Sequence, residues 1–209
     1  MEKVLEINLK NIKKSISDRY KCIFFHIPKT GGSSIRNVLF GNGDGGHILS
    51  TSMEELETEK FNEYFKFSFV RNPWDRVVSA FYYLNTSELN PNILSFRIKY
   101  IDKYNMNFKK FVKDFMNEES IKLSQHLLPQ HLFVFKENTP NIDFIGKFEN
   151  IQEDFNKICD IIGIDKTYLS NDNKSDHDSY KDYYDEETKS IIAKIYEKDI
   201  NYFNYIFGA

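Results

Sequence analysis

The chain has 209 residues and a formal net charge of −3, with 41% hydrophobic and 16% aromatic residues. That is enough apolar material for one folded domain with a sizeable core, and it excludes an intrinsically disordered chain. A near-balanced charge provides no whole-protein attraction to nucleic acid or to an anionic membrane, so any anion site must be built locally. The two cysteines, Cys22 and Cys159, lie far apart and read as buried thiols, not as a disulfide or a metal pair. No apolar run approaches the ~20 residues of a membrane span, and MEKVLEINLKNIKK has no signal-peptide core. A soluble, cytoplasmic protein is therefore expected.

Residues 1–20 read as an extension before the first strand, Lys21–Ile27. That strand stops at Pro28. A lysine, two glycines and two hydroxyl residues (Lys29, Thr30, Gly31, Gly32, Ser33, Ser34) then lead into a helical pattern. Helix-start N–H groups have no intrahelical partner, and the helix dipole adds partial positive charge there. The glycines let the backbone approach an oxyanion closely. Lys29 adds a full charge, and Ser33 and Ser34 add donors. The segment is built for a phosphate or sulfate group.

The loop GNGDGGHILS follows, carrying Asp44 and His47 among four glycines. A second strand, Phe65–Val70, ends at Arg71, with Asn72 as N-cap and Pro73 at the first helical position. Trp74, Val77, Val78 and Phe81 make one apolar stripe, which assigns Trp74 to the core, and Ser79 lies off that stripe. Arg36 and Arg76, just inside the two helices, read equally as ligand contacts or as residues in a supporting role or a surface ion pair. The chain is less regular between Leu84 and Asn107, and residues 84–130 are expected to form a helical insertion with a helix over Asn107–Asn117. Arg97, Lys99, Lys103, Lys109, Lys110 and Lys113 there either line an acceptor groove or make an ordinary solvated face. Strands are expected at Leu132–Phe135 and Ile142–Phe148, and a helix at Ile151–Ile162. A polar loop containing Lys174, Ser175 and His177 precedes a last helix capped by Asp185.

Strands alternating with helices imply one α/β domain over 1–209. Its architecture would be a P-loop-like three-layer fold, with a central mostly parallel sheet flanked by helices. Ligands of such sheets bind beyond the carboxyl ends of the strands, where both turns lie. The turns differ from the ATP loop, GxxxxGK[ST]. Here the lysine precedes the glycines, no GK[ST] occurs, and the second strand ends in Arg71 where a magnesium-dependent enzyme tends to carry an acid. A nucleotide held by cations and amides without a metal is the expectation. Two anion-ready turns suit a ligand with two acidic groups, such as an adenosine phosphorylated on its 3′ and 5′ ends.

HIPKTGGSS followed by FVRNPWDRVVSAFYY resembles the sulfotransferases that use 3′-phosphoadenosine 5′-phosphosulfate (PAPS), in the carbohydrate O-sulfotransferase branch with its heparan-type and bacterial members. FIGKFENIQEDFNKICDIIGI and YYDEETKSIIAKIYEKDINYFNYIF resemble that branch too. The resemblance implies that Lys29, Thr30, Gly31, Gly32, Ser33 and Ser34 bind the 5′-phosphosulfate. It likewise implies that Arg71 and Ser79 bind the 3′-phosphate, with Lys174 and Ser175 as further nucleotide contacts. It implies PAPS as co-substrate, 3′-phosphoadenosine 5′-phosphate (PAP) as product, no metal, and an acceptor hydroxyl on a carbohydrate. Lys29 would neutralise the leaving phosphate, and His47, in a Gly-His segment after the first helix, would be the base. Asp44 would orient or replace it. The Pro129–Gln130 pair, flanked by His126 and His131, would lie near the acceptor or simply make an irregular turn. His26 is expected to pack beneath the first loop. Two other readings stay open on the residues alone: a nucleotide kinase or ATPase with a variant phosphate loop, and a nucleotide-binding protein without turnover.

Overall fold

The computed structural model describes residues 9–41, 46–86, 91–170 and 179–209. In chain order the first half forms α1 (Leu9–Ser15), β1 (Ile16–Ser17), β2 (Cys22–Phe25), α2 (Gly32–Phe40), α3 (Ser50–Leu56), α4 (Thr58–Glu63), β3 (Phe65–Val70), α5 (Pro73–Thr86) and α6 (Pro91–Phe96). Then come α7 (Phe108–Phe115), α8 (His131–Val134), β4 (Phe135–Lys136), β5 (Thr139–Pro140), β6 (Phe144–Lys147), α9 (Ile151–Ile162), α10 (Glu186–Ile195) and α11 (Glu197–Phe203). These elements fall into two compact units, one of Glu2–Arg71 with Pro129–Lys174 and one of Asn72–Leu128 with Ser175–Ala209.

The first unit holds a four-stranded sheet in the order β1-β2-β3-β6. β2, β3 and β6 are parallel, and β1, from the expected N-terminal extension, adds an antiparallel edge. Strand alternation gives the sheet two apolar faces. Cys22, Phe24, Phe67 and Phe69 pack with Ile35 and Leu39 of α2 and with Phe155, Ile158 and Cys159 of α9. On the other face Phe25 meets Phe61 of α4 edge-on at 6.3 Å. Phe24, Phe25, Phe67 and Phe69 are fully buried, and each contributes about 1.5–3 kcal/mol by leaving water. The result is the expected α/β arrangement of a mostly parallel sheet between helices. Both cysteines are free and buried, and burial pushes the Cys22 thiol up to about 12.

The expected strand at Leu132–Phe135 is corrected by the structure. His131–Val134 is a single helical turn, and only Phe135–Lys136 pairs, antiparallel to Thr139–Pro140. A short apolar run such as LFVF buries as well in a helical turn as in a strand, because period alone does not separate them. Here Phe133 and Val134, which are adjacent, are both fully buried.

The second unit is helical. Trp74, Val77, Val78 and Phe81 of α5 share a core with Phe108, Phe111, Val112 and Phe115 of α7 and with Ile192 and Tyr196. The Asp185 cap is present as a reciprocal box, with Thr188 N–H donating to Asp185 at 2.8 Å and Asp185 N–H donating to the Thr188 hydroxyl at 3.0 Å. The expected last helix is broken at Tyr196, whose hydroxyl donates to the Leu127 carbonyl at 2.6 Å. Arg76 is buried and donates to the carbonyls of Leu128 at 2.6 Å and His126 at 3.4 Å, a structural role and not a surface ion pair. No described helix is long and apolar enough to cross a membrane.

Candidate active site

The site lies at the carboxyl ends of β2, β3 and β6. β3 runs between the other two, so Arg71, the first residue beyond it, stands between the loop after β2 and the turn after β6. Its guanidinium uses both neighbours. Nη1 donates to the Lys29 carbonyl at 3.3 Å, and Cζ sits 4.2 Å from the Phe148 ring centroid. The backbone of Arg71 is held separately. Its N–H donates to Gln130 Oε1 at 2.8 Å, and Gln130 Nε2 donates to its carbonyl at 2.8 Å, with Gln130 fully buried.

The loop after β2 is tightly specified. Lys29 has φ 68°, a left-handed conformation that costs a non-glycine residue roughly 1–2 kcal/mol. Thr30 is buried and its hydroxyl donates to the Ile27 carbonyl at 2.9 Å, closing the turn. Gly31 has φ 78°, and a Cβ there would come within 2.6 Å of Ile151 Cδ1. At Gly32 the obstacle is His26, whose ring Cδ2 lies 2.1 Å from where a Cβ would be. Two side chains are therefore packed where any other residue would place its own. α2 starts at Gly32, so its first amides open towards the strand ends. Ser33 is half-buried, and the Ser34 hydroxyl donates to the Ser170 carbonyl at 2.6 Å.

Lys29 is half-buried. Burial first, and then the positive charge of Arg71, pull its ammonium down to about 8. A cation held at that cost is stabilised by an incoming anion.

His26 packs as expected, stacked on Phe24 at 5.7 Å and lying against Gly32. Its carbonyl oxygen lies 2.6 Å from His47 Nδ1, and the two imidazole centroids are 4.6 Å apart. A carbonyl only accepts, so neutral His47 carries its proton on Nδ1 and presents Nε2 as the basic nitrogen. His47 is thereby one ring away from the anion loop.

Of the residues predicted from sequence, Lys29, Thr30, Gly31, Gly32, Ser33, Ser34, His47 and Arg71 belong to this one unit. Ser79 lies on α5 in the other unit and is 2% exposed, so it is buried although it stands off the apolar stripe. Arg36 is fully buried and donates to the Lys14 carbonyl at 2.9 Å, so it supports α1 and is no surface ion pair. His126, in the helical unit, is buried beside Tyr83, with ring centroids 4.9 Å apart. His131 opens α8. Asp44, Lys174, Ser175 and His177 lie outside the described residues. Sequence reasoning missed Phe148 as the ring beneath Arg71 and Gln130 as its backbone partner. The only signal for either was position: an aromatic just past a strand end, and an amide beside Pro129.

The family model for the sulfotransferase family matches residues 14–206. The chain belongs to the sulfotransferase family. Among curated relatives it is similar to carbohydrate sulfotransferase 9 of Homo sapiens, 27% identical over 220 residues that cover 88% of this chain and 47% of that protein. It is similar also to carbohydrate sulfotransferase 14 of Homo sapiens, 22% identical over 171 residues, covering 69% of this chain and 45% of that protein. An uncharacterized protein of Archaeoglobus fulgidus is 28% identical over 121 residues, 58% of this chain and 86% of its own length. The chain thus spans about half the length of the human relatives it matches. No solved structure matches it. In this member of the family the turn after β2 and the turn after β3 meet at the bond from Arg71 Nη1 to the Lys29 carbonyl.

Proposed function

We propose that this protein transfers a sulfuryl group from PAPS to a hydroxyl, on a carbohydrate acceptor. The observation that carries the proposal is the joining of the two anion turns through Arg71 Nη1 and the Lys29 carbonyl. A ligand with acidic groups on both ends of one nucleoside needs two such turns within its own length. The names of the human relatives support a carbohydrate as acceptor.

In this proposal Lys29, the amides of Thr30 to Ser34 and the Ser33 hydroxyl hold the 5′-phosphosulfate. The Ser34 hydroxyl joins them by exchanging its bond to Ser170. Arg71 takes the 3′-phosphate, assisted by Ser79, and Lys174 and Ser175 add nucleotide contacts. The assignments of Ser79, Lys174 and Ser175 rest on the motif resemblance alone. His47 Nε2 takes the proton of the acceptor hydroxyl as its oxygen bonds to sulfur. The bond from sulfur to the 5′-phosphate oxygen breaks, and the charge left on that oxygen is met by Lys29 and the helix-start amides. The products are the sulfate ester and PAP, with the proton on His47. No step draws on a metal ion.

The test is transfer of isotopically labelled sulfate from PAPS to a panel of glycans, read by mass shift, with ATP and magnesium as a parallel arm. Labelled sulfate on a glycan supports the proposal. Magnesium-dependent ATP turnover with no transfer from PAPS would replace it with the kinase or ATPase reading.

A further inference from the structure

We infer that Gln130 is a positioning residue for Arg71, and through it sets the selectivity of the nucleotide site for a 3′-phosphate. The inference rests on the proposal above that Arg71 binds that phosphate.

β3 ends at Val70, whose partner on β6 is Lys147, the last residue of that strand. Arg71 is one residue beyond the ladder, where the backbone loses its regular pairing, yet the residue is buried. A buried N–H or C=O left unpaired is destabilising, so each needs a partner here. The side-chain amide of Gln130 meets both, at 2.8 Å each, from a site 59 residues away in the chain. It does so as a neighbouring strand would, with one donor and one acceptor to the same residue. A carboxamide is the neutral side-chain group that offers both functions in one plane. Gln130 thus extends the sheet by one residue on one side.

The consequence reaches the guanidinium. With its backbone clasped, Arg71 brings Cζ over Phe148 at 4.2 Å and Nη1 to the Lys29 carbonyl at 3.3 Å. A planar guanidinium binds a phosphate well only when its fork is aimed in advance. Gln130 is fully buried, with both ends of its amide engaged by the Arg71 backbone, so its effect passes through Arg71. The Pro-Gln pair is therefore assigned to the nucleotide, not to the acceptor that the sequence resemblance suggested.

The experiment compares PAP with adenosine 5′-monophosphate, which lacks the 3′-phosphate, by titration calorimetry on the full chain. Wild type, Q130M, R71A and the Q130M/R71A double variant are used. Met keeps the volume of Gln and removes both hydrogen bonds. Q130M is expected to weaken PAP about tenfold and the monophosphate less than about twofold, because a charge-assisted contact is misaimed while the 5′ site is kept. The double variant is expected to bind PAP no more weakly than R71A, the signature of two residues acting as one unit. Equal loss for both nucleotides, or independent losses that multiply in the double variant, would overturn the inference. If Q130M does not fold, Q130N, which keeps the amide but shortens its reach, is measured against the same two criteria. Wild type that fails to bind PAP would instead sink the underlying proposal. Wild type that binds PAP, with Q130M indistinguishable from it, would sink the Gln130 inference alone.

Discussion

His47 Nδ1 and the carbonyl oxygen of His26 are 2.6 Å apart, a contact that fixes which imidazole nitrogen can receive a proton. The same His26 packs its ring on Gly32, where the loop enters α2, so loop, carbonyl and His47 form one chain of contacts. H47A is expected to lower transfer from PAPS by about 10²–10⁴-fold, the usual worth of a general base. PAP affinity should stay within about twofold, because the donor grip uses other residues. Unchanged transfer in H47A, measured by sulfated product under single turnover, would remove His47 from the mechanism.

Gly32 gives a structural test of that chain. A Cβ at this position would lie 2.1 Å from His26 Cδ2, so G32A has to displace the ring and the carbonyl that orients His47. Overpacking of this kind costs about 1–3 kcal/mol, and a drop in Tm of several degrees together with at least tenfold less transfer is expected. Gly163 is the control. It has φ 72° with open space around its Cβ position, so G163A should lose stability through backbone strain while transfer per folded molecule is unchanged.

Lys29 links pH to both binding and stability. Its ammonium is depressed from 10.5 to about 8 by burial and then by Arg71. Between those values the unfolded chain holds a proton that the folded chain has released, so this group's contribution to stability rises with pH from about 8 to about 10.5. Below pH 8 both states are protonated and the full cost of burying the charge remains. K29M is therefore expected to make the ligand-free protein more stable at pH 7 by about 1–3 kcal/mol, a gain that shrinks as pH approaches 10. Its PAP affinity should fall at least tenfold. In wild type, PAP binding should weaken as pH rises through about 8, and K29R should lose that dependence. Calorimetry and thermal unfolding across pH 6.5 to 10 read both effects.

Phe148 carries the guanidinium of Arg71 on its face at 4.2 Å. F148L keeps an apolar side chain of similar reach but removes the π-face, and a cation–π contact on a half-buried ring is worth about 0.5–2 kcal/mol. PAP affinity is expected to fall about 3–10-fold. Equal affinities of F148L and wild type for PAP would show that the ring only fills space.

Much of this was legible in the sequence, for reasons that can be named. Phe65–Val70 and Ile151–Ile162 match the observed β3 and α9 because their ends carry local stop signals: Asn72-Pro73 beyond the strand, Gly163 beyond the helix. The PKTGGSS loop was readable because a turn into a helix start is encoded within a few residues. What was not readable depends on contacts between distant residues. The clasp on Arg71 spans 59 positions and uses an amide whose partners are backbone atoms, which leave no mark in composition or period. The tautomer of His47 likewise depends on a main-chain oxygen 21 residues away. LFVF was misread as a strand for the complementary reason, since a four-residue apolar run has no period long enough to measure.

Under the proposed function, the turn led by Lys29 and the turn led by Arg71 hold one bisphosphorylated adenosine together. Titration calorimetry of PAP into wild type, K29M and R71A measures this directly. One PAP per chain is expected, with Kd below about 50 µM in wild type and at least tenfold weaker binding in each variant. Absence of PAP binding at several times that concentration, or an R71A variant that binds PAP as wild type does, would contradict it.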